Sequence, residues 1–427
     1  MANTSSDLHP QLLGSIKIPN HLLKNSSGLS CDIGGTLAKF AYYAKKSESK
    51  DETTTLNLVA FTRENIDEGL QYIKNNFLSV ADDNWKKVKV TTTGIGSFQY
   101  KEKLIKVLDI EPKVLENLLE SDCFVKSLEV LGKHLKPGEL LEKMRKSDRI
   151  ELYKWQQLMV KMLDAAKASG SLKTNMEIQI PTDMTNPEEE KEDNETIQFP
   201  CVVMMLGSGG ALFQVGEDGK YTFMNVLNQA GRMFTGLGRL LTGAKTFDDL
   251  MSLAERGNSD NVDTMTHDLG AVKETSTPET DDSDPKSAKQ AIEKSEATKK
   301  DSNENTETFD FYESMVDEQP NQLVYSFGKC VSKDKDDFKT EDIARTLLSN
   351  MCLSLVQMSV VSAQASGLHN LYICGNFISH PLIRQEISKA STAALKMNSA
   401  KNGPMNLSFV NHGGYLGAIG ALLFAQE

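Results

Sequence analysis

The sequence predicts an α/β protein built from two similar halves. Two stretches carry the same order of elements, which is a strand, a glycine turn, a second strand, a third strand and a helix. The first stretch spans residues 29–78 and the second spans residues 201–241. A third glycine turn follows an apolar strand at 371–376. The repeated order indicates an ancient duplication, with each half forming a sheet covered by helices.

The stretch Leu29–Tyr43 is predicted to form a β-hairpin around Gly34-Gly35. Adjacent glycines let the backbone approach a ligand and leave its amide groups free to face an anion. Thr36 and Lys39 supply a donor and a positive charge for phosphate oxygens, and Asp32 can orient a metal-bound water or a nucleophile. No GxxxxGK[ST] motif is present, so this is not a P-loop. Taken alone, the pattern fits an ordinary hairpin turn equally well.

The rest of the first half alternates strands and helices. Apolar spacing predicts strands at 57–62 and 87–93, a helix at 65–78, and helical segments within 101–131 and 140–168.

The second half has two further glycine turns after apolar strands. The strand at 201–206 ends in Gly207-Ser208-Gly209, and the strand at 371–374 ends in Gly375-Asn376. The remaining predicted elements are strands at 211–215, 221–227 and 407–410 and helices at 231–241, 341–365, 381–397 and 416–424.

Composition narrows the class of protein. The net charge of −12 argues against a general nucleic-acid binder, which needs a basic face. The six cysteines form no CxxC pair, which predicts reduced thiols in a cytoplasmic protein, with the nucleus as a second location. No secretory signal is apparent, and no uninterrupted apolar run reaches about 18 residues, so no membrane span is expected.

Polar segments predict the domain boundaries. Residues 1–27 read as a flexible tail, and residues 28–200 as a first lobe with inserted helices and an acidic loop at 182–198. Residues 201–427 read as a second lobe, interrupted by an acidic, low-complexity insertion at about 258–310. That insertion is predicted to be disordered, because it has too little apolar surface to offset its ordering entropy.

Three strand-preceded glycine turns in this order resemble the layout of the actin, hexokinase and Hsp70 superfamily, in which ATP binds between two duplicated lobes. The resemblance implies two ribonuclease H-like lobes with mixed five-stranded sheets flanked by helices. More specifically, the sequence resembles the eukaryotic-type (type II) pantothenate kinases. The matching stretches include DIGGTLAKFAYY, TTTGIGSFQY, LESDCFVKSL, MMLGSGGALFQV, LYICGNFI and NHGGYLGAIGALL.

This resemblance implies ATP-dependent phosphorylation of pantothenate, the first step of coenzyme A synthesis. It also implies a dimer, with itself or with a paralogue, and feedback inhibition by coenzyme A or its thioesters. Glu120 matches the family's catalytic carboxylate. The residues implied to contact ATP and Mg²⁺ are Asp32 (indirectly, through Mg²⁺), Gly34, Gly35, Thr36, Lys39, Gly207, Ser208, Gly209, Gly375 and Asn376.

Several positions depart from the family pattern. Phe223 stands where the family has an arginine, and Met205 and Ala211 replace a polar pair around the second glycine turn. Arg232, next to Gly231, is a candidate to replace the missing charge toward the substrate. Loss of one charge-stabilising donor can cost about 10²–10³ in rate. The alternative is therefore an inactive, nucleotide-binding paralogue that pairs with an active kinase. A sugar kinase that shares the Asp-Ile-Gly-Gly-Thr turn is the third hypothesis.

Overall fold

The computed structural model describes residues 12–23, 26, 28–43, 53–78, 89–168, 196–270, 322–398 and 405–424. The strands are β1 (Leu12–Pro19), β2 (Leu29–Ile33), β3 (Leu37–Tyr42), β4 (Thr53–Thr62), β5 (Val90–Thr93), β6 (Leu115–Asn117), β7 (Leu141–Lys143), β8 (Cys201–Leu206), β9 (Gly210–Val215), β10 (Tyr221–Leu227), β11 (Thr264–Met265), β12 (Leu323–Tyr325), β13 (Asn370–Cys374) and β14 (Asn406–Val410).

The helices alternate with these strands. They are α1 (Ile66–Ile73), α2 (Gly96–Gln99), α3 (Lys101–Leu108), α4 (Glu120–His134), α5 (Pro137–Leu140), α6 (Lys146–Ala168), α7 (Gly231–Thr242), α8 (Phe247–Arg256), α9 (Thr266–Gly270), α10 (Thr340–Ala365), α11 (Pro381–Asn398) and α12 (Leu416–Phe424).

Two mixed sheets of six strands have matching topology. The first has the order β1-β4-β3-β2-β5-β6, with antiparallel pairing from β1 to β2 and parallel pairing from β2 to β6. The second has the order β10-β9-β8-β13-β14-β7, antiparallel from β10 to β8 and parallel from β8 to β14. The predicted fold class, two duplicated α/β halves, is confirmed.

Each sheet has one strand more than the five predicted. In the first sheet the extra strand is β1, which pairs with β4 from Leu12↔Ala60 to Pro19↔Thr53. The prediction of a flexible tail is therefore wrong for residues 12–19. Ile16 and Ile18 are buried at alternate positions, which is the strand pattern that the surrounding polar residues concealed.

Short parts of two segments that were predicted to be helical form strands instead. Leu115, expected in a helix, lies in β6 and pairs in parallel with Val90 of β5. Residues 141–143 form β7, which pairs antiparallel with β14 at the edge of the second sheet. Both strands have only three residues, too few for a period-2 pattern to be recognised.

The polar segments of the second half are described only in part. The predicted insertion is ordered at its start, where residues 258–270 include β11 and α9, so disorder is wrong there. Residues 271–310 of the insertion lie outside the described residues, as do residues 182–195 of the acidic loop predicted in the first lobe.

Contacts within the chain define two compact units. The first comprises Met1–Gln156, Ile178–Phe247 and Leu347–Glu427 and contains both six-stranded sheets. The second comprises Gln157–Glu177 and Asp248–Thr346. In the second unit β11 pairs with β12, and Asp342 accepts hydrogen bonds from the Asn258 amide and the Asn261 side chain. The predicted lobe boundary at 200/201 stays a prediction.

Helix α12 is almost entirely buried, because Leu416 to Leu423 are all buried. Hydroxyl groups on neighbouring elements donate to its backbone carbonyls: Ser30 to Ala418 at 2.6 Å, Thr91 to Ala421 and Ser127 to Leu416, both at 2.5 Å. These contacts join the helix to β2, β5 and α4. The helix therefore links the first sheet to the helix that begins at Glu120.

One described helix, α10, is long and apolar enough to cross a membrane by length and composition alone. However, 56% of its most apolar window is buried inside the protein. Core helices of soluble proteins meet the same criterion, so this is weak evidence for a membrane span.

Replacing Gly420 by alanine should destabilise the protein by about 3 kcal/mol, because the added carbon would overlap the carbonyl oxygen of Cys123 in α4. The matched control is Gly236→Ala in α7, where the added carbon meets nothing within 4 Å. That change should stabilise by about 0.5–1 kcal/mol. Urea unfolding measures both effects, and equal stability of the two variants would contradict the packing of α12 on α4.

Candidate functional site

A buried ion pair lies at the end of the first hairpin. Asp32 of β2 is 2% exposed, and its Oδ2 accepts a hydrogen bond from the Lys39 ammonium at 2.8 Å. The two residues are directly opposed in the antiparallel register of β2 and β3, so their side chains share one face of the sheet.

Backbone from two other elements encloses the Asp32 carboxylate. A side-chain carbon at Gly94, which follows β5 with φ +83°, would lie 2.6 Å from Asp32 Oδ1. One at Gly417, near the start of α12, would lie 2.8 Å from Asp32 Oδ2. Only glycine fits at these positions without displacing the carboxylate.

Asp32 Oδ1 is buried and accepts no hydrogen bond from any described residue. An unsatisfied buried carboxylate oxygen costs free energy, and a catalytic role or a bound water or ion is among the reasons that native proteins keep one. The oxygen is suited to a water or ion that arrives with a ligand.

Glu120 is the first residue of α4 and belongs to the same charge cluster. Burial, together with the negative charge of Asp32, raises the pKa of Glu120 to about 7, and Lys39 partly offsets this rise. The pKa of Lys39 is itself raised, since the pairing with Asp32 and the charge of Glu120 outweigh the lowering effect of burial. A carboxylate with a pKa near neutrality can both accept and release a proton at physiological pH.

The first and second glycine turns meet at their hydroxyl residues. The oxygens of Thr36 Oγ1 and Ser208 Oγ are 2.7 Å apart. A side-chain carbon at Gly35 would lie 3.5 Å from Ser208 Oγ, so the backbone of one turn faces the side chain of the other. The two turns that the sequence assigns to phosphate binding are thus brought together.

The second turn rests on the first turn of α7. Gly207 N donates to Gly209 O at 2.8 Å, which closes the turn on itself. Gly231 N then donates to Gly207 O at 3.1 Å, and Arg232 N donates to Ser208 O at 2.9 Å. Arg232 therefore has its backbone beside Ser208, and its side chain is exposed at the start of the helix.

The third turn lies against the end of β8. Gly375 has φ +107°, and a side chain there would overlap the Leu206 carbonyl, immediately before the second turn. The Asn376 side chain packs on Gly414, and its Oδ1 is buried without a hydrogen-bond partner among the described residues. Asp32 and Asn376 thus each have one buried polar oxygen without a hydrogen-bond partner among the described residues. Both residues are therefore candidates for ligand contact.

The three positions that the sequence predicts to depart from the family pattern lie on β8, β9 and β10 of the second sheet. Ala211 pairs with Met205 on one side and with Val226 on the other. Phe223 of β10 is 52% exposed, and its ring lies 5.6 Å from that of Phe213. An apolar ring thus occupies the position at which the family resemblance predicts an arginine.

Two features of the site were missed from sequence. The sequence predicts a turn at Gly94 and close helix packing at Gly417. Only the structure shows that the backbone at both positions lies against the Asp32 carboxylate. The other is a bridge from the Tyr221 hydroxyl to Ser121 and Asp122, which directly follow Glu120. The sequence stretch LESDC pointed to this turn but gave no indication of its partner.

No group of three or more His, Cys, Asp or Glu side chains suited to a metal occurs among the described residues. Mg²⁺ is commonly held by one or two carboxylates, waters and substrate phosphates instead of a full protein cage. The single carboxylate of Asp32, with its unsatisfied oxygen, fits that second arrangement.

The chain belongs to the Fumble family, whose model matches residues 28–424. The predicted resemblance to the type II pantothenate kinases is confirmed by this match and by curated relatives. Pantothenate kinase 1 of Arabidopsis thaliana is 24% identical over 92% of this chain and 85% of that protein. Pantothenate kinase 2 of Oryza sativa subsp. japonica is 24% identical over 96% of this chain and 40% of that protein.

A mouse relative has a different printed activity. The 4'-phosphopantetheine phosphatase of Mus musculus is 23% identical over 95% of this chain and 42% of that protein. The chain thus spans about two fifths of the length of the rice and mouse relatives.

Solved structures of sugar kinases show distant similarity. A glucokinase from Balamuthia mandrillaris in complex with glucose is 11% identical, with 96% of each chain covered and a TM-score of 0.38. A glucokinase from an Antarctic psychrotroph is 12% identical, with 93% of this chain and 98% of that chain covered and a TM-score of 0.36.

Glu120→Gln should stabilise the protein more at pH 8 than at pH 5. The folded state holds the Glu120 proton more tightly than the unfolded state, because its folded pKa is raised from 4.5 to about 7. Ionising Glu120 therefore lowers the free energy of unfolding as the pH rises through this window, and glutamine cannot ionise. The expected gain at pH 8 is on the order of 1 kcal/mol.

Urea unfolding at the two pH values measures this difference. Glu129→Gln is the control on the same helix, since Glu129 pairs with Lys133 at the surface and its removal should cost less than about 1 kcal/mol at either pH. A Glu120→Gln effect that is the same at both pH values would contradict the raised pKa.

Proposed function

We propose that this chain is a pantothenate kinase, which transfers the γ-phosphoryl group of ATP to pantothenate and forms 4'-phosphopantothenate, the first step of coenzyme A biosynthesis. The observation that carries the proposal is the position of Glu120 beside the Asp32–Lys39 pair, with a pKa of about 7. Membership of the Fumble family supports the choice of substrate.

Glu120 would act as the general base. The primary hydroxyl of pantothenate is a very weak acid, so its proton must leave as its oxygen bonds to phosphorus. The carboxylate of Glu120 would accept that proton while the bond from the γ-phosphorus to the ADP oxygen breaks. Its raised pKa makes it a stronger base than an ordinary glutamate, and it is still largely ionised above pH 7.

The glycine turns would bind the phosphates of ATP. Thr36 and Ser208 offer two hydroxyl groups at the junction of the turns, and the adjacent glycines leave room for phosphate oxygens near the backbone. When bound, Mg²⁺ would neutralise charge on the transferring phosphoryl group. Asp32 would contact Mg²⁺ indirectly, as the family resemblance implies, and its unsatisfied Oδ1 supports this part of the proposal.

The main partner of Lys39 would be Asp32, and a contact with the nucleotide would come in addition. Its ammonium is 2.8 Å from Asp32, whereas the sequence predicted a contact with phosphate. In this position it compensates the buried carboxylate and limits the rise in the Glu120 pKa. The direct phosphate contact stays a prediction.

Gly231 and Arg232 would form the part of the site that binds pantothenate. The exposed Arg232 side chain starts from a backbone that contacts Ser208, so a short reach would bring its charge to the phosphate turn. This is the support for the proposal that Arg232 replaces the arginine lost at Phe223. Contact of Arg232 with pantothenate is part of the same proposal.

Other expectations rest on the family resemblance alone. These are a homodimer or a heterodimer with a paralogue, inhibition by coenzyme A or its thioesters, and a cytoplasmic or nuclear location. Sedimentation with and without a paralogue, and assays with added thioesters, test the first two.

Purified protein should convert pantothenate and Mg-ATP to 4'-phosphopantothenate and ADP in a coupled assay. Glu120→Gln should lower kcat by about 10²–10⁴-fold, since the general base is lost. Glu129→Gln, on the same helix, should leave kcat unchanged. No turnover in the unmodified protein, with nucleotide binding intact, would contradict the proposal and favour the inactive paralogue.

The same assay gives a pH dependence with a defined sign. Glu120 must be ionised to accept a proton, so kcat/KM for pantothenate should fall as the pH drops below about 7, the pKa of Glu120 in the free protein. The expected slope is about tenfold per pH unit below that value. Constant kcat/KM from pH 5 to 8 would exclude Glu120 as the base.

Arg232→Ala should lower kcat by about 10²-fold if Arg232 replaces the family arginine. Arg239→Ala is the control, because Arg239 is an exposed arginine near the other end of α7. Equal activity of the two variants would show that Arg232 is not the replacement.

A further inference from the structure

The first turn of α4 has no side-chain cap of its own. Its N-cap residue is Leu119, which is 68% exposed and makes no capping hydrogen bond. First-turn amides lack intrahelical acceptors, so an uncapped helix tends to fray at this end. Glu120 lies in this turn and is half-buried, so its environment near Asp32 depends on the turn keeping its position.

A hydroxyl group from the second sheet holds the same turn. Tyr221, the first residue of β10, donates to Asp122 Oδ1 at 2.5 Å, and its oxygen is 2.7 Å from Ser121 Oγ. Both partners directly follow Glu120 in sequence. A hydrogen bond to a charged acceptor is stronger than a neutral one, so this bridge is a firm attachment.

The Tyr221 ring is itself fixed by packing. It meets Phe213 of β9 edge-on, with centroids 5.8 Å apart, and the Phe213 ring lies 6.4 Å from Phe124 of α4. The ring would keep these contacts if the hydroxyl were removed. Replacement by phenylalanine therefore deletes the bridge and preserves the apolar packing.

We propose that Tyr221 is a positioning residue for Glu120, acting through Ser121 and Asp122 to hold the first turn of α4 against the Asp32–Lys39 pair. The proposal rests on the function given above only in taking Glu120 as the base. It assigns no contact between Tyr221 and substrate. The Tyr221 hydroxyl of the second sheet thereby sets the position of the Glu120 carboxylate next to the first sheet.

Tyr221→Phe should lower kcat about tenfold, because misplacing a catalytic group reduces the rate. The KM for ATP should stay within about twofold, since the glycine turns are untouched. The low-pH limb of the kcat/KM profile should also move to lower pH. A loosened turn exposes Glu120 to water, and burial is the largest cause of its raised pKa.

Tyr325→Phe is the control, since Tyr325 is 62% exposed and lies in the other compact unit. It should match the unmodified protein in all three readouts. Asp122→Ala should also lower kcat, and Tyr221→Phe with Asp122→Ala should be no worse than the poorer single variant, because both changes remove one bridge. Additive losses would contradict a shared action.

A purely structural Tyr221 would lower the melting temperature and leave kcat per folded molecule and its pH profile unchanged. That result would overturn the proposal. If the unmodified protein does not phosphorylate pantothenate, the proposed function fails but the positioning can still be measured. Hydrogen exchange of the segment 118–125 should then be faster in Tyr221→Phe than in Tyr325→Phe, and equal rates would overturn the positioning itself.

Discussion

The buried carboxylate of Asp32 is the constraint on which the rest of the site depends. One of its oxygens is paired with Lys39, and the other has no hydrogen-bond partner among the described residues. Backbone at Gly94 and Gly417 comes so close that neither position accepts a side chain. Its negative charge adds to burial in raising the pKa of Glu120. The end of β2, the start of α12 and the start of α4 must therefore keep their places together.

Most of the fold could be predicted because its signals are local and strong. Long apolar strands that end in glycine turns gave both halves and their order, and the predicted bounds of the last helix, 416–424, are those of α12. The short strands β6 and β7 and the edge strand β1 could not be predicted. Each is defined by pairing with a strand distant in sequence, and its own residues carry too weak a pattern to show this.

The sequence predicted the individual residues of the site but not the contacts between them. The pairing of Asp32 with Lys39 follows from the turn at residues 34–37, which lies between the paired residues Ile33 and Ala38 and so sets residue 32 opposite residue 39. The sequence alone predicted a phosphate contact for Lys39. The meeting of Thr36 with Ser208 needs the two halves to be assembled. The hydrogen bonds of Tyr221 join it to Ser121, 100 residues earlier in the sequence, and to Asp122, 99 residues earlier. No pattern in one sequence encodes such a contact.

Glu120 is a carboxylate whose pKa is raised to about 7 by desolvation and by the negative charge of Asp32. Carbon-13 NMR of the protein with labelled glutamate side chains, assigned by comparison with Glu120→Gln, measures its titration without any substrate. The predicted result is a Glu120 midpoint near pH 7, well above that of the surface glutamates. A midpoint close to the ordinary 4.5 would contradict the claim, because Glu120 would then be a solvated glutamate at the end of a helix.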